Sequence, residues 1–210
     1  PYKELSGCGI GFKLVQGIAQ RNGIAPSELE PLLDLVAVST ACDIVPVTGE
    51  NRVLTHFGLK RVNQDPRPGI RAMMQMANVK KRLGVSELVF TIGPRINAAG
   101  RIEHGRQAVE LLLAKDLAQA EQIGLRVDGN NTARQELDKH ITESALAHIA
   151  QDDFVRDAWS TVIFDPSWHK GVIGIVASRL IEQYHRPTIV LTESQGKAVG
   201  SARSVKGFDV

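Results

Sequence analysis

Apolar positions along this chain keep a helical rhythm for roughly the first 150 residues and then change to a strand–helix–strand rhythm. Near the start, the small-residue turn Leu5-Ser6-Gly7-Cys8-Gly9 leads into a helix with Ile10, Leu14, Val15 and Ile18 on one face. Ser6 is its candidate N-cap and Asn22-Gly23 its stop. Ala25-Pro26-Ser27-Glu28 opens a short second helix that reaches Leu33. The run from Leu35 to Pro46 is continuous, apolar and rich in β-branched residues, and it ends abruptly in small and polar ones. It fits a buried strand of an α/β sheet, and it fits a buried helix equally well. Either way it delivers Asp43 near the end of a buried element, where ligands bind in open α/β sheets. The plain alternative is that Asp43 caps the next turn. Gly49-Glu50-Asn51-Arg52 starts a helix with Val53, Leu54, Phe57 and Leu59 on its apolar side. After the loop Asp65–Gly69, Ile70 to Ala77 is helical, with Met73, Met74 and Met76 as core filler. The run Leu88–Ile92 feeds a loop, Gly93-Pro94-Arg95-Ile96-Asn97-Ala98-Ala99-Gly100-Arg101.

His104 to Leu113 reads as a helix with Ala108, Leu111 and Leu112 inward. Asp116 then caps a much longer one. Leu117, Ala120, Ile123, Val127, Leu137, Ile141, Ala145 and Ile149 keep helical phase over about nine turns. The phase lapses around Gly129-Asn130-Asn131-Thr132. So long a helix with a mostly polar surface suggests a connector between two lobes; a bent helix pair is the alternative. Thr161–Phe164 and Thr188–Thr192 then read as strands around a buried helix from Val172 to Ile181, with a third strand from Ala198. That spacing is a βαβ unit, so parallel pairing is expected.

Composition narrows this only a little. A chain of 210 residues with 43% hydrophobic content can bury a real core, and a net charge of +2 favours no partner class. Cys8 and Cys42 read as buried free thiols, so the chain is expected to be intracellular and cytoplasmic. No apolar run is long enough to span a bilayer. The chain opens at Pro1 without Met and stops at Val210 in what reads as the middle of a motif, so a piece of a longer protein is expected.

Three arginine-bearing, small-residue motifs carry the candidate chemistry. They are Gly93–Arg101, Trp168-His169-Lys170-Gly171 leading to Ser178-Arg179, and Gly200-Ser201-Ala202-Arg203-Ser204. Each sets guanidinium or hydroxyl donors beside glycine, and together they make a surface for several phosphates in a row. A solvated surface loop is the bland reading of any one of them. Other chemistries lack their patterns: no cysteine pair has zinc spacing, and no phosphate-binding P-loop, dinucleotide fingerprint or nucleophile elbow is present. His169 is a candidate phosphate contact or general acid, and a lone loop histidine beside a tryptophan is as often structural. His56, His104, His140, His148 and His185 have no partners identifiable from sequence. Asp43 is the one well-placed buried carboxylate, too few for a two-metal phosphodiesterase centre.

In their order these motifs resemble the RecJ family of single-strand-specific DNA exonucleases, within the DHH phosphoesterase superfamily. The matching residues are Leu5-Ser6-Gly7, Ser39–Pro46 with Glu50-Asn51-Arg52, Gly93–Arg101, Asn131 with Arg134, Trp168-His169 and Gly171–Arg179, and Gly200-Ser201 with Arg203-Ser204. The resemblance implies an α/β fold in three parts. These are the C-terminal part of a DHH-type catalytic domain (1–115), a connector helix (116–152) and the N-terminal part of a DHH-associated domain (153–210). It implies an exodeoxyribonuclease that hydrolyses single-stranded DNA 5′ to 3′ with Mn²⁺ or Mg²⁺, acting in DNA repair and recombination. Asp43 matches a metal-binding aspartate, and Arg101 matches an arginine that holds the scissile phosphate, with Asn97 and Arg95 in the same phosphate-binding stretch. His169, Arg179, Ser201, Arg203 and Ser204 match the lobe that grips the strand. The family's other aspartate motifs and its Asp-His-His triplet would precede Pro1, and its Gly-Gly-His motif and OB-fold domain would follow Val210. The fragment alone is therefore expected to be inactive. Partners implied for the longer protein are single-stranded DNA, a single-strand-binding protein and a helicase, with no membrane. Two alternatives stay open: a DHH-family phosphoesterase acting on short oligonucleotides or cyclic dinucleotides, and a non-catalytic nucleic-acid-binding module.

Overall fold

A computed structural model describes residues 2–208. The chain is mixed α/β and divides after Asn131 into two compact units.

The first unit is helical, with no strand among its described residues. Its elements are α1 (Gly7–Arg21), a 3₁₀ turn (Pro26–Leu32), α2 (Leu33–Cys42), α3 (Gly49–Gln64), α4 (Pro68–Met76), the single turn α5 (Val85–Glu87), a π-helical stretch (Leu88–Ile92), α6 (Gly93–Ile102), α7 (Arg106–Leu112) and the first part of α8 (Leu117–Gln151). The run that fitted strand or helix is α2. It buries Asp34, Val36, Ala37, Val38, Thr40 and Ala41, which together surround its axis. A helix apolar on nearly all sides belongs in the middle of a bundle, and α2 is central to this one. Around it the core gathers Val62, Ile70, Met73, Leu88, Ile92, Leu111 and Val127. Glycines set the closest approaches. A Cβ on Gly58 would lie 2.2 Å from the Leu33 carbonyl oxygen, and one on Gly69 2.1 Å from that of Leu111. Arg67 clamps the buried Asp34 with two bonds, Nε to Oδ2 at 2.7 Å and Nη2 to Oδ1 at 2.6 Å. It spends its other donors on the Leu112 and Pro31 carbonyls.

Two inward faces differ from the periodicity. In α1 the apolar stripe Ile10, Leu14 and Ile18 is exposed, while Gly9, Phe12 and Ala19 are buried. In α3 Val53 and Phe57 are half exposed, and the buried residues are Asn51, Thr55, Gly58 and Val62. Periodicity finds an apolar stripe but not which neighbour will cover it. Here Gly9, Ala19 and Gly58 let helices approach closely, and Phe12 and Val62 fill the space beside them. Cys8 and Cys42 are free thiols, only partly buried rather than buried. Burial pushes the Cys42 thiol up to about 11, with the adjacent Asp43 carboxylate adding to the shift.

α8 is the long connector helix expected. Asp116 caps it, its carboxylate accepting the Gln119 N–H at 2.8 Å. It runs unbroken through Gly129–Thr132, where Asn130 and Asn131 occupy buried positions in place of apolar residues. This is why the apolar phase lapses without a break in the helix. Asn130 donates to Gln107 Oε1 on α7 at 3.1 Å.

The second unit comprises the rest of α8, α9 (Asp153–Asp157), β1 (Thr161–Phe164), α10 (Ile173–Tyr184), β2 (Thr188–Ser194) and β3 (Lys197–Arg203). The sheet order is β1-β2-β3. β1 and β2 are parallel, Thr161 opposite Thr188, as a strand–helix–strand unit requires. β3 returns antiparallel, Val190 opposite Ser201, through a hairpin with Gln195 and Gly196 at φ 54° and 71°. Two consecutive positive φ values match the twist of the flanking strands. α10 packs on β2 and β3, burying Ile173, Val176, Ala177 and Leu180. Among the described residues no helix is long and apolar enough to cross a membrane.

Candidate nucleic-acid interface

In the first unit, Gly93–Arg101 is a helix and not the loop its glycines and proline suggested. Pro94 stands in the first turn of α6, where its missing N–H costs nothing and its fixed φ favours the helix. Gly93 is there for space: a Cβ would lie 2.8 Å from Cys42 Sγ. The start of α6 therefore docks against the last residue of α2. Asp43 follows as the C-cap of α2, accepting a 3.3 Å hydrogen bond from Ser39 Oγ. Asp43 is exposed, not buried as its surroundings in sequence suggested; among the described residues the buried carboxylates are Asp34 and Asp138. The next residue, Ile44, takes φ 55°, a strained backbone for a β-branched side chain.

The helical form of α6 sorts its polar residues. Asn97 and Arg101 are one turn apart on the exposed face, while Ala98 and Ala99 are buried beneath them. Arg95 points elsewhere. Its Nε donates to Asp128 Oδ1 at 2.8 Å and its Nη1 to the Thr91 carbonyl at 2.8 Å, leaving the side chain 15% exposed. Arg95 thus ties α6 to α8 and to the π-helical stretch.

In the second unit, two of the five expected contacts, Ser201 and Arg203, come together against the first turn of α10. Gly174, in the first turn of α10, has no side chain. A Cβ there would meet Ser201 Oγ at 3.1 Å and Arg203 Nη2 at 3.3 Å. This bare backbone brings a helix N-terminus, a hydroxyl and a guanidinium together, and each favours an anion. Arg203 Nη1 bonds Ser201 Oγ at 3.0 Å and the Ala202 carbonyl at 2.8 Å, so the two side chains are held as a pair. His169 lies in the turn that precedes α10: its carbonyl accepts the Val172 N–H at 2.9 Å, and its Nδ1 accepts the Gly171 N–H at 3.1 Å. Arg179 is one and a half turns further along α10, in a two-bond fork with Asp138. Ser204 lies past the end of β3, with its hydroxyl on the Phe208 carbonyl.

Trp168 supports this corner. It is 4% exposed, its indole N–H donates to Ser144 Oγ at 3.4 Å, and its carbonyl accepts the Thr192 hydroxyl at 2.6 Å. Asp165 ties the preceding turn, accepting from the Ser167 hydroxyl and N–H at 2.6 and 2.8 Å. Those bonds hold its carboxyl below the ordinary value of 3.8.

Among the described residues no three His, Cys, Asp or Glu side chains are grouped so as to hold a metal ion. Asp43 alone does not make a two-metal centre, so these residues do not by themselves fit one. Asp128 and Asp138 were missed from sequence. For Asp138 a signal existed, because it sits in phase with Ile141 and Ala145 on the buried stripe of α8.

Residues 157–210 match the family model of the DHHA1 domain. The chain is 38% identical over 213 residues to the single-stranded-DNA-specific exonuclease RecJ of Bacillus subtilis strain 168, covering all of this chain and 26% of that protein. The crystal structure of RecJ from Thermus thermophilus in complex with Mg²⁺ superposes with a TM-score of 0.86 at 33% identity, over 99% of this chain and 32% of the other. The same protein in complex with Mn²⁺ gives 0.85 at 33% identity, over 98% and 30%. The chain thus spans about a quarter to a third of the length of these relatives.

Proposed function

From a chain that is RecJ-like along its whole length, we propose that it is part of a single-stranded-DNA exonuclease, hydrolysing phosphodiester bonds 5′ to 3′ in DNA repair and recombination. The second unit grips the strand through its phosphates. Asn97 and Arg101 in the first unit face the phosphate being cut, and Asp43 contributes one ligand to a Mn²⁺ or Mg²⁺ centre supplied mostly by other parts of the longer protein. That centre supplies the chemistry of cleavage; this chain's residues bind and orient the strand. The fragment alone is inactive. In the cell the longer enzyme works with a single-strand-binding protein and a helicase.

One observation carries this reading: the absent side chain of Gly174 admits Ser201 and Arg203 to the first turn of α10. The resulting hydroxyl–guanidinium pair at a positive helix end has the chemistry of a phosphate contact, and it lies in the part that matches the DHHA1 domain.

The test uses the longer protein. Arg203→Ala is expected to weaken binding of a single-stranded oligonucleotide and to reduce its salt dependence by about one phosphate. Asp43→Ala is expected to abolish cleavage while binding survives. Equal rates on dinucleotides and long single strands would move the reading to a phosphoesterase of short substrates. Unchanged, salt-independent affinity in Arg203→Ala would remove the strand-gripping role.

A further inference from the structure

Asp138 is almost wholly buried on the inward stripe of α8, at 2% exposure, yet it holds a half-exposed arginine. Arg179 presents one edge to it, Nε to Oδ1 at 2.9 Å and Nη2 to Oδ2 at 2.7 Å. Thr142 Oγ1 steadies Oδ1 from 3.5 Å, and Arg134 Nη1 stands 3.8 Å from Oδ2.

The buried Asp34–Arg67 pair of the first unit shows what a purely structural fork looks like. There the arginine side chain is 17% exposed and its remaining donors end on the Pro31 and Leu112 carbonyls. Arg179 differs on both counts. Its side chain is 53% exposed, and both of its bonds go to Asp138. That fork uses Nε and Nη2, and the Arg179 side chain lines an open depression of about 490 Å³ together with Arg134, Lys139 and Glu143. Burying a carboxylate is costly, and here one half of the guanidinium is fixed while the other half is left to solvent. A planar guanidinium locked along one edge presents the other as a preformed two-hydrogen fork, the shape that fits a phosphate. Its charge is secure, since the bond to Asp138 raises its pKa further.

We propose that Asp138 is a positioning residue that aims the outer edge of Arg179 at a phosphodiester of the bound strand, in the depression beside Arg134 and Lys139. The proposal rests on Arg179 being a strand contact, as read above.

Anisotropy of a fluorescein-labelled oligo-dT titrated with the 210-residue chain over a KCl series tests it. Arg179→Ala is expected to weaken binding about tenfold and to lower the slope of log K against log salt by about 0.7, one phosphate on a single strand. Asp138→Asn, which keeps the shape and removes the charge, is expected to weaken binding three- to tenfold even though it makes the chain more positive. In the Arg179→Ala background it should add nothing. Arg179→Lys, at a half-exposed position that tolerates the change, should match Asp138→Asn, because charge without the fork is not enough; this arm decides if Asp138→Asn fails to fold. Asp138→Asn binding as tightly as wild type beside a weakened Arg179→Ala, or losing the same factor in both backgrounds, overturns the positioning role. So does Arg179→Lys binding like wild type. If Arg179→Ala itself leaves affinity unchanged, or the wild-type chain shows no salt-dependent affinity, the strand-contact reading fails, and the positioning role fails with it.

Discussion

The docking of α6 on α2 turns on one missing methyl group, and a double-mutant cycle measures it. Gly93 has helical dihedrals, φ −54° and ψ −47°, so alanine fits its backbone. On propensity alone Gly93→Ala would stabilise by up to about 1 kcal/mol. The new Cβ, however, lies 2.8 Å from Cys42 Sγ, about 1 Å inside an ordinary contact. Overpacking of that size in a filled core costs about 1–3 kcal/mol, so the single variant is expected to lose about 1 kcal/mol net. In a Cys42→Ala background the sulfur is gone. The nearest remaining atoms are the Leu88 carbonyl oxygen at 3.5 Å and the residue 42 Cβ at 3.6 Å, both ordinary contacts. There Gly93→Ala should stabilise by about 0.5–1 kcal/mol, giving a coupling of about 2 kcal/mol. Urea denaturation followed by far-UV circular dichroism reads the helical first unit. Tryptophan fluorescence separates out the second, which holds both Trp159 and Trp168. Equal effects of Gly93→Ala in the two backgrounds would refute the docking of α6 on α2, and with it the closeness of Asp43 to the start of that helix.

Other outcomes follow from the same geometry. Gly58→Ala and Gly69→Ala put a methyl 2.2 and 2.1 Å from backbone oxygens that cannot turn aside, so each should destabilise by about 3 kcal/mol or more in denaturation. Gly129→Ala, with nothing within 4 Å, should stabilise by about 0.5–1 kcal/mol. Ile44→Gly relieves the positive φ beside Asp43 and should raise stability by about 1 kcal/mol; no gain would mean that residue 44 is not held left-handed in solution. Asp165, with its folded pKa depressed, contributes stability above pH 3.8 that is lost as pH falls through the lower folded value. In Ser167→Ala that pKa should climb back toward 3.8 in an NMR carboxyl titration, and an unmoved titration would show that the serine bonds do not set it.

Much of the second unit was legible because its signals are local. A β-branched run, a break and a second β-branched run can hardly be anything but strand–helix–strand, and Gly196 marks the hairpin. The first unit was harder because its decisive facts are distances between distant segments. Gly93 and Pro94 looked like turn chemistry, yet Pro in a first turn is as much a start signal for a helix. Only the position of Cys42 explains why the residue before that proline must lack a side chain. The exposed face of α1 failed for a related reason: Ile10, Leu14 and Ile18 make a proper stripe, and sequence cannot say that Phe12 and Ala19 meet the neighbour instead.

The arginines make the sharpest case. Read by type, Arg95 and Arg179 were equal candidates for phosphate. Their partners separate them by what is left over after pairing. Arg95 divides its donors between Asp128 and the Thr91 carbonyl and is nearly enclosed, so it acts as a strut. Arg179 gives one edge to Asp138 and keeps the other in solvent. A charge is available to a ligand only to the extent that the fold has not already used its hydrogens. For an arginine in this chain, the place to look is the carboxylate, distant in sequence, that fell on a buried stripe.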